Sequence, residues 1–160
     1  MSSELSISFH CQNSDHQRCV NDALARAEML CTQQKQRFTA IRQRVLELVW
    51  QQHKPIGAYE VLEHLQADGR TAPPTVYRAL DFLQKMGLVH RIASLNAYVG
   101  CVHPGESHDG HFLICKSCHA LAEINAPEIN AAIMQSASDI GFQPVRQTIE
   151  VMGLCPECSG

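Results

Sequence analysis

The chain has 160 residues, and its 45% hydrophobic content is enough for one ordinary domain or two small ones with real cores. Its charge is unevenly divided, since residues 1–100 carry 11 basic against 9 acidic side chains (net +2) and residues 101–160 carry 2 against 7 (net −5). This division favours two domains, and +2 is far below the charge of a purely electrostatic nucleic-acid binder. Neither a membrane-length apolar run nor a signal-peptide pattern is present, so we expect a cytoplasmic protein with no membrane partner.

The first 20 residues are polar and lack an apolar period, which predicts a flexible arm. Four potential metal ligands lie close together in it, namely His10, Cys11, His16 and Cys19. A metal site and chance clustering both explain this group. An arm must become ordered before it binds metal, so we favour chance clustering.

Four amphipathic helices are predicted between residues 21 and 87. Asp22 and Thr39 are good N-cap residues for the first two, and Cys31 lies on the apolar stripe of the first, where a lone cysteine usually packs. Pro73 and Pro74 start the fourth helix, because proline is tolerated in a first turn. Its inward set is Val76, Ala79, Leu80 and Leu83, and its outward set is Thr75, Arg78, Asp81 and Lys85.

The second helix has Arg37, Arg42 and Arg44 outside its apolar stripe, which fits phosphate contacts and an ordinary solvated face equally well.

Two strand-like runs, residues 88–92 and 98–102, follow the fourth helix and flank a turn-prone segment. Helices followed by a hairpin predict a winged helix-turn-helix, whose second helix, about residues 74–86, enters the DNA major groove. A small helical domain with a hairpin and no DNA partner fits the same pattern.

Two cysteine pairs near the C terminus, Cys115-Lys116-Ser117-Cys118 and Cys155-Pro156-Glu157-Cys158, carry the strongest chemical signal. Two residues between thiols let one turn aim both sulfurs at one point, and two such turns complete a tetrahedral shell for a structural zinc ion. The alternatives are a redox dithiol, two disulfides or cysteines that only pack. A redox pair expects a βαβ unit and disulfides expect an oxidising compartment, and neither context is visible.

The 36 residues between the two pairs must fold for the pairs to meet. Strands are predicted at residues 112–114, 121–124 and 145–152. A helix is predicted over residues 127–140, with Ile129, Ala132, Ile133 and Ala137 facing inward.

Together these motifs resemble the ferric uptake regulator family, and most of all its zinc uptake regulator branch. The resemblance covers about residues 22–158 and is carried by Pro73-Pro74-Thr75-Val76-Tyr77-Arg78-Ala79-Leu80-Asp81-Phe82-Leu83, Gly87-Leu88-Val89-His90, Tyr98-Val99-Gly100-Cys101, Ile114-Cys115-Lys116-Ser117-Cys118 and Gly153-Leu154-Cys155-Pro156-Glu157-Cys158.

The resemblance implies an α+β fold. After the arm over residues 1–20, residues 21–102 would form a winged helix-turn-helix domain that binds DNA. Residues 103–160 would form a small α/β dimerisation domain with the four-cysteine zinc site. The implied function is a zinc-responsive transcriptional repressor, not an enzyme, that binds palindromic double-stranded operator DNA as a homodimer and controls zinc uptake genes.

The resemblance also assigns residues to two Zn2+ ions per chain and to DNA. The structural zinc would be held by Cys115, Cys118, Cys155 and Cys158, and the regulatory zinc by His90, Cys101, His108 and Glu123. The DNA contacts would come from Tyr59, Thr75, Tyr77 and Arg78. A regulatory ion that bridged both domains would limit the angles open to the DNA-binding heads. His103, His111 and His119 are nearby rivals, and His111 in particular could replace or supplement His108. We interpret all three as bystanders or as residues that only support the ligands.

Several alternatives stay open at this point. Cys101 is the soft ligand that favours zinc, and if it pointed into the core an iron- or manganese-responsive regulator of the same family would fit better. Tyr59 and Tyr77 could be packing residues instead of DNA contacts. In the zinc branch, an acidic and a basic side chain on the third helix can pair neighbouring dimers on DNA. In this chain Glu63 could supply the acidic side chain, but Gln66 occupies the matching basic position. From other classes of protein, a zinc-dependent enzyme and a zinc adaptor that binds only protein remain, although no catalytic motif is present.

Overall fold

The computed structural model describes residues 16–52, 54–105 and 110–160. Its described residues divide into two compact units, an N-terminal unit of residues 16–105 and a C-terminal unit of residues 110–160. The N-terminal unit contains α1 (His16–Gln33), α2 (Ala40–Gln51), β1 (Ile56–Gly57), α3 (Ala58–Asp68), α4 (Pro73–Lys85), β2 (Val89–Ile92) and β3 (Ala97–Gly100). The C-terminal unit contains β4 (Gly110–Cys115), β5 (Leu121–Ile124), α5 (Pro127–Asp139), β6 (Thr148–Gly153) and α6 (Pro156–Ser159). The predicted α+β fold class is confirmed.

The helix boundaries follow from local chemistry. Thr39 caps α2 as predicted, because its side chain accepts a hydrogen bond from the backbone N–H of Arg42. Helix α4 begins with Pro73 and Pro74, which supply no N–H where a first turn has no partner for one. Helix α3 ends where the N–H of Gly69 donates to the carbonyl of Leu65.

The core of the N-terminal unit is built from the apolar faces of its helices. Helix α4 buries the four residues predicted to face inward, and its exposed face includes Arg78, Asp81 and Lys85. The guanidinium of Arg42 lies 3.5 Å from the centre of the Phe82 ring, which ties α2 to α4. Arg44 pairs with Asp68 at 2.7 Å, which ties α2 to the end of α3. These two arginines are therefore engaged within the unit.

The hairpin after α4 forms a three-stranded antiparallel sheet in the order β1-β3-β2. Its register places His90 opposite Val99 and Val89 opposite Gly100. A short 3-10 turn joins β2 to β3 and ends at Asn96, whose φ of 46° is left-handed. Helices followed by this hairpin give the winged helix-turn-helix arrangement that the sequence predicted.

The C-terminal unit is a second three-stranded sheet, in the order β5-β4-β6. Strand β4 pairs with β5 in antiparallel fashion and with β6 in parallel, and the parallel pair requires the long connection that contains β5 and α5. Phe112, Ile114, Ala122 and Ala137 are buried in this unit. The sheet thus carries Cys115 at the end of its central strand.

Two predicted features differ from the structure. Helix α1 begins at His16, because Val20 is buried and extends the apolar stripe of the helix. The last five residues of the predicted arm are therefore helical, and Asp22 lies inside the helix instead of capping it. In α5 only Ala137 is buried among the four residues predicted to face inward, and Ile129 and Ile133 are exposed. Periodicity identifies the apolar face of a helix but not whether its own chain covers that face. The rest of the predicted arm, including His10 and Cys11, lies outside the described residues.

Within the described parts of the chain, none of the helices combines the length and the apolar character that crossing a lipid bilayer requires.

Candidate functional site

The four cysteines of the two predicted pairs meet in the C-terminal unit. Their sulfur atoms all lie within 4.8 Å of one another. Cys115 and Cys155 are buried, and Cys118 and Cys158 are half-buried. Residues from the end of β4 and from α6 therefore converge on one point.

Backbone hydrogen bonds shape the two turns that carry these thiols. In the first turn the N–H of His119 donates to the carbonyl of Cys115 at 2.9 Å, and the N–H of Cys115 donates to Ala120 at 2.8 Å. His119 closes the turn with a φ of 61°, in the left-handed region. In the second turn the N–H of Cys158 donates to the carbonyl of Cys155 at 3.0 Å. The backbone of His119 therefore shapes this turn, while its imidazole ring is exposed.

The spacing of the sulfur atoms fits a tetrahedral zinc ion. Zinc–thiolate bonds of about 2.3 Å place the sulfurs of a tetrahedron about 3.8 Å apart. The sulfurs of Cys118 and Cys155 are 3.7 Å apart, and all four cysteines are free thiols. A disulfide would require about 2.0 Å between sulfurs. The donor set therefore fits zinc and not a pair of disulfides.

The ionisation of the cluster also favours a cation. Backbone N–H groups, first that of Cys118 and then that of Cys155, lower the pKa of Cys115 to about 6. Hydrogen bonding with the Cys155 side chain raises the pKa of Cys158 to about 12. The cluster thus forms one thiolate readily but resists the ionisation of a further thiol. A divalent cation at its centre removes that resistance, because it neutralises the accumulating negative charge.

Two of the four predicted regulatory ligands come together in the N-terminal unit. His90 lies on β2 and Cys101 directly follows β3, and their ligand atoms lie within 4.8 Å of each other. Cys101 is buried and His90 is half-buried. Glu123 is a half-buried residue of β5, opposite Phe112. His108 lies outside the described residues.

The rival histidines and the remaining buried cysteine have other surroundings. His111 is buried, and its Nε2 lies 3.1 Å from the side-chain amide nitrogen of Gln147, which donates to Asn130 at 2.7 Å. This network joins the start of β4 to α5 and was not predicted, because no short motif links three such distant residues. His103 is exposed. Burial raises the pKa of the Cys31 thiol, as expected for a packing residue.

The predicted DNA contacts lie on α3 and α4. The side chain of Tyr59 is 72% exposed and that of Tyr77 is 58% exposed, so neither ring is a core packing residue. Arg78 is exposed beside Tyr77, and Thr75 is half-buried in the first turn of α4. The exposed side of α4 therefore presents a ring that can make apolar contacts and a cation.

Comparison with known proteins identifies the relatives of this chain. It is 39% identical to the zinc uptake regulation protein of Escherichia coli (strain K12) over 141 residues, which cover 87% of this chain and 82% of that protein. A solved structure of a zinc uptake regulator complexed with zinc and DNA is similar with a TM-score of 0.84 at 38% identity, covering 88% of this chain and 95% of that one. Holo XcZur is similar with a TM-score of 0.81 at 42% identity, covering 87% and 98% of the two chains. Because residues 33–152 match the model of the ferric uptake regulator family as well, the chain belongs to that family.

Proposed function

We propose that this protein is a zinc-responsive transcriptional repressor that binds operator DNA as a homodimer and controls zinc uptake genes. The observation that carries the proposal is the soft donor Cys101 within 4.8 Å of the imidazole donor of His90, in a chain similar to zinc uptake regulation proteins. Thiolate and imidazole donors together suit zinc, whereas iron and manganese sensors favour nitrogen and oxygen donors throughout. The iron- or manganese-responsive alternative is therefore less well supported.

The proposed regulatory zinc is held by His90, Cys101, His108 and Glu123. Two imidazoles, one thiolate and one carboxylate are all donors that zinc accepts, and a bound zinc ion would hold these side chains together. The proximity of His90 and Cys101 in the N-terminal unit supports two of these assignments. The other two ligands are assigned by resemblance to the family.

Hydrogen bonds connect the backbone of Cys101 to the proposed recognition helix. The N–H of Cys101 donates to the carbonyl of Leu88 at 2.9 Å, and the N–H of Leu88 donates to the carbonyl of Leu83 in α4, also at 2.9 Å. Both leucines are buried. A metal ion that fixed Cys101 would therefore act on a residue that two successive backbone hydrogen bonds connect to α4. Zinc shifts the protein towards the DNA-binding state only to the extent that it binds that state more tightly.

A Cys101→Ser variant tests the proposed function. Serine replaces a thiolate by a poor neutral donor, so most of the zinc-dependent gain in DNA affinity should disappear in a zinc-titrated gel shift. The matched control is Cys31→Ser, which changes a buried cysteine of α1 that is not a proposed ligand and should keep the response to zinc. A Cys101→Ser protein with a normal zinc response would refute the regulatory site.

We propose two zinc ions per chain that exchange differently. The four-thiolate site is closed and belongs to the fold, whereas the regulatory site has mixed donors. Metal analysis after mild chelation should therefore find about one zinc per chain, with DNA binding lost and the fold retained. Cys115→Ser, which breaks the closed site, should instead give unfolded or aggregated protein. Loss of both ions from a protein that stays folded would contradict this assignment.

The homodimer is supported by apolar surface on the C-terminal unit. Side chains of α5 and β6 are exposed that would normally be covered, namely Ile129, Ile133, Met134, Val151 and Met152. Among the strands that the structure describes, β6 also lies at an edge of its sheet. A second copy of the chain would remove this apolar surface from water, which is the main favourable term in association.

An Ile133→Asp variant tests this surface. Burying an unpaired carboxylate in an interface costs several kcal/mol, so the variant should be monomeric at concentrations where the wild type is dimeric. Light scattering after size-exclusion chromatography measures the mass. Ala131→Asp adds the same charge to an exposed position about 160° around the same helix and should leave the dimer intact. If Ile133→Asp dimerises like the wild type, the interface lies elsewhere.

Arg78 is proposed to contact a base edge from α4. Arg78→Ala should cost about 1–3 kcal/mol on a palindromic specific site if the contact is bidentate to guanine, and much less on random DNA. Lys85→Ala is the control, since Lys85 is exposed at the end of the same helix and pairs with Asp81 at 2.8 Å. Equal weakening on both DNAs would make Arg78 a phosphate contact instead.

A further inference from the structure

Trp50 of α2 occupies the space that a side chain at Gly100 of β3 would need. A Cβ atom built on Gly100 would lie 2.2 Å from Cε2 and 2.4 Å from Nε1 of the indole. Real Cβ atoms do not approach other atoms that closely, and the atoms concerned belong to a rigid ring system and not to a flexible chain end. The ring therefore lies against the backbone of Gly100, and only glycine permits this approach.

This contact lies directly beside a proposed regulatory ligand. Gly100 precedes Cys101, and the backbone of Cys101 continues the strand pairing by donating to Leu88. Trp50 and Cys101 also line the same cavity of about 200 Å³ within the N-terminal unit, together with Leu46 and Leu88. The indole thus borders both the residue before Cys101 and the space around Cys101.

We infer that Trp50, through its contact with Gly100, is a positioning residue that holds Cys101 in place for the regulatory zinc. The inference rests on the proposed zinc function. Glycine has the greatest backbone freedom of any residue. A glycine directly before a metal ligand would therefore allow that ligand to take several positions. The indole lies on one side of Gly100, and the pairing with Val89 on β2 fixes the strand at the same residue. Residues that orient a metal ligand through a hydrogen bond typically contribute 10–100-fold to metal affinity, and we expect an effect of that order from this packing contact.

A packing role alone predicts a different result. Trp50 also packs against the apolar core of the N-terminal unit, so a change at the contact could lower stability without any effect on zinc. Zinc affinity must therefore be measured beside the midpoint of thermal unfolding. The chain has a single tryptophan, so tryptophan emission reports on the surroundings of Trp50 alone.

The experiment compares the wild type with Gly100→Ala, with the double variant Gly100→Ala/Trp50→Phe, and with a control. Zinc is titrated against a chromophoric chelator into protein that already holds the structural zinc. Gly100→Ala should bind the regulatory zinc about 10–100-fold more weakly. The smaller phenyl ring of the double variant should make room for the added methyl group and recover much of the affinity. The control is Gly57→Ala in the same sheet, where a Cβ would meet nothing closer than the carbonyl oxygen of Asn96 at 3.9 Å.

The possible outcomes separate this inference from the proposed function. Weaker zinc binding by Gly100→Ala with recovery in the double variant, and a zinc-dependent change in Trp50 emission that Gly100→Ala lacks, would support it. Wild-type zinc affinity in Gly100→Ala would overturn the inference and leave the regulatory site standing. A loss of affinity that follows a fall in the unfolding midpoint, without recovery in the double variant, would reduce the contact to packing and also overturn it. A wild type that binds no second zinc would refute the proposed function itself.

Discussion

In the proposed account, the stability of the C-terminal unit depends on a zinc ion that offsets the mutual repulsion of four thiolates. Its sheet has three strands, few of its side chains are buried, and much of the apolar surface of α5 and β6 is exposed. A structural zinc ion realises about 10–16 kcal/mol of apparent binding free energy on folding, comparable with the whole stability of a small domain. A zinc ion held by Cys115, Cys118, Cys155 and Cys158 would thus explain how so small a unit holds β4 and β6 in register.

In the proposed account, the N-terminal unit responds to a second metal ion. Its helical core is conventional, with α2 tied to α3 by an ion pair and to α4 by the stacking of Arg42 on Phe82. The proposed ligand His90 lies on β2 and the buried Cys101 directly follows β3, so both belong to the hairpin and not to the helices. Binding at the hairpin can therefore change what the unit does without first unfolding it. The proposed division between a structural zinc and a regulatory zinc rests on where these donors lie.

Local patterns predicted much of this molecule. The cysteine pairs, the cap at Thr39 and the buried face of α4 depend on residues within a few positions of one another, and all three are found in the structure. The exposed apolar face of α5 was misjudged, because helical periodicity does not show whether the chain itself covers such a face. The network of His111, Gln147 and Asn130 and the approach of Trp50 to Gly100 were not predicted either, because each joins residues far apart in the sequence. From the sequence alone, Gly100 is simply a glycine that would weaken a strand. Its role becomes clear only from the indole of Trp50 beside it.

The central claim is that zinc and DNA stabilise the same conformation, and thermodynamic linkage tests it most directly. The affinity of the regulatory site for zinc should be measured with and without a saturating duplex chosen by in vitro selection for zinc-dependent binding. Because coupling is reciprocal, DNA should raise the zinc affinity by the same factor by which zinc raises the DNA affinity, about 5–150-fold for a coupling of 1–3 kcal/mol. A zinc affinity unchanged by DNA would contradict the account.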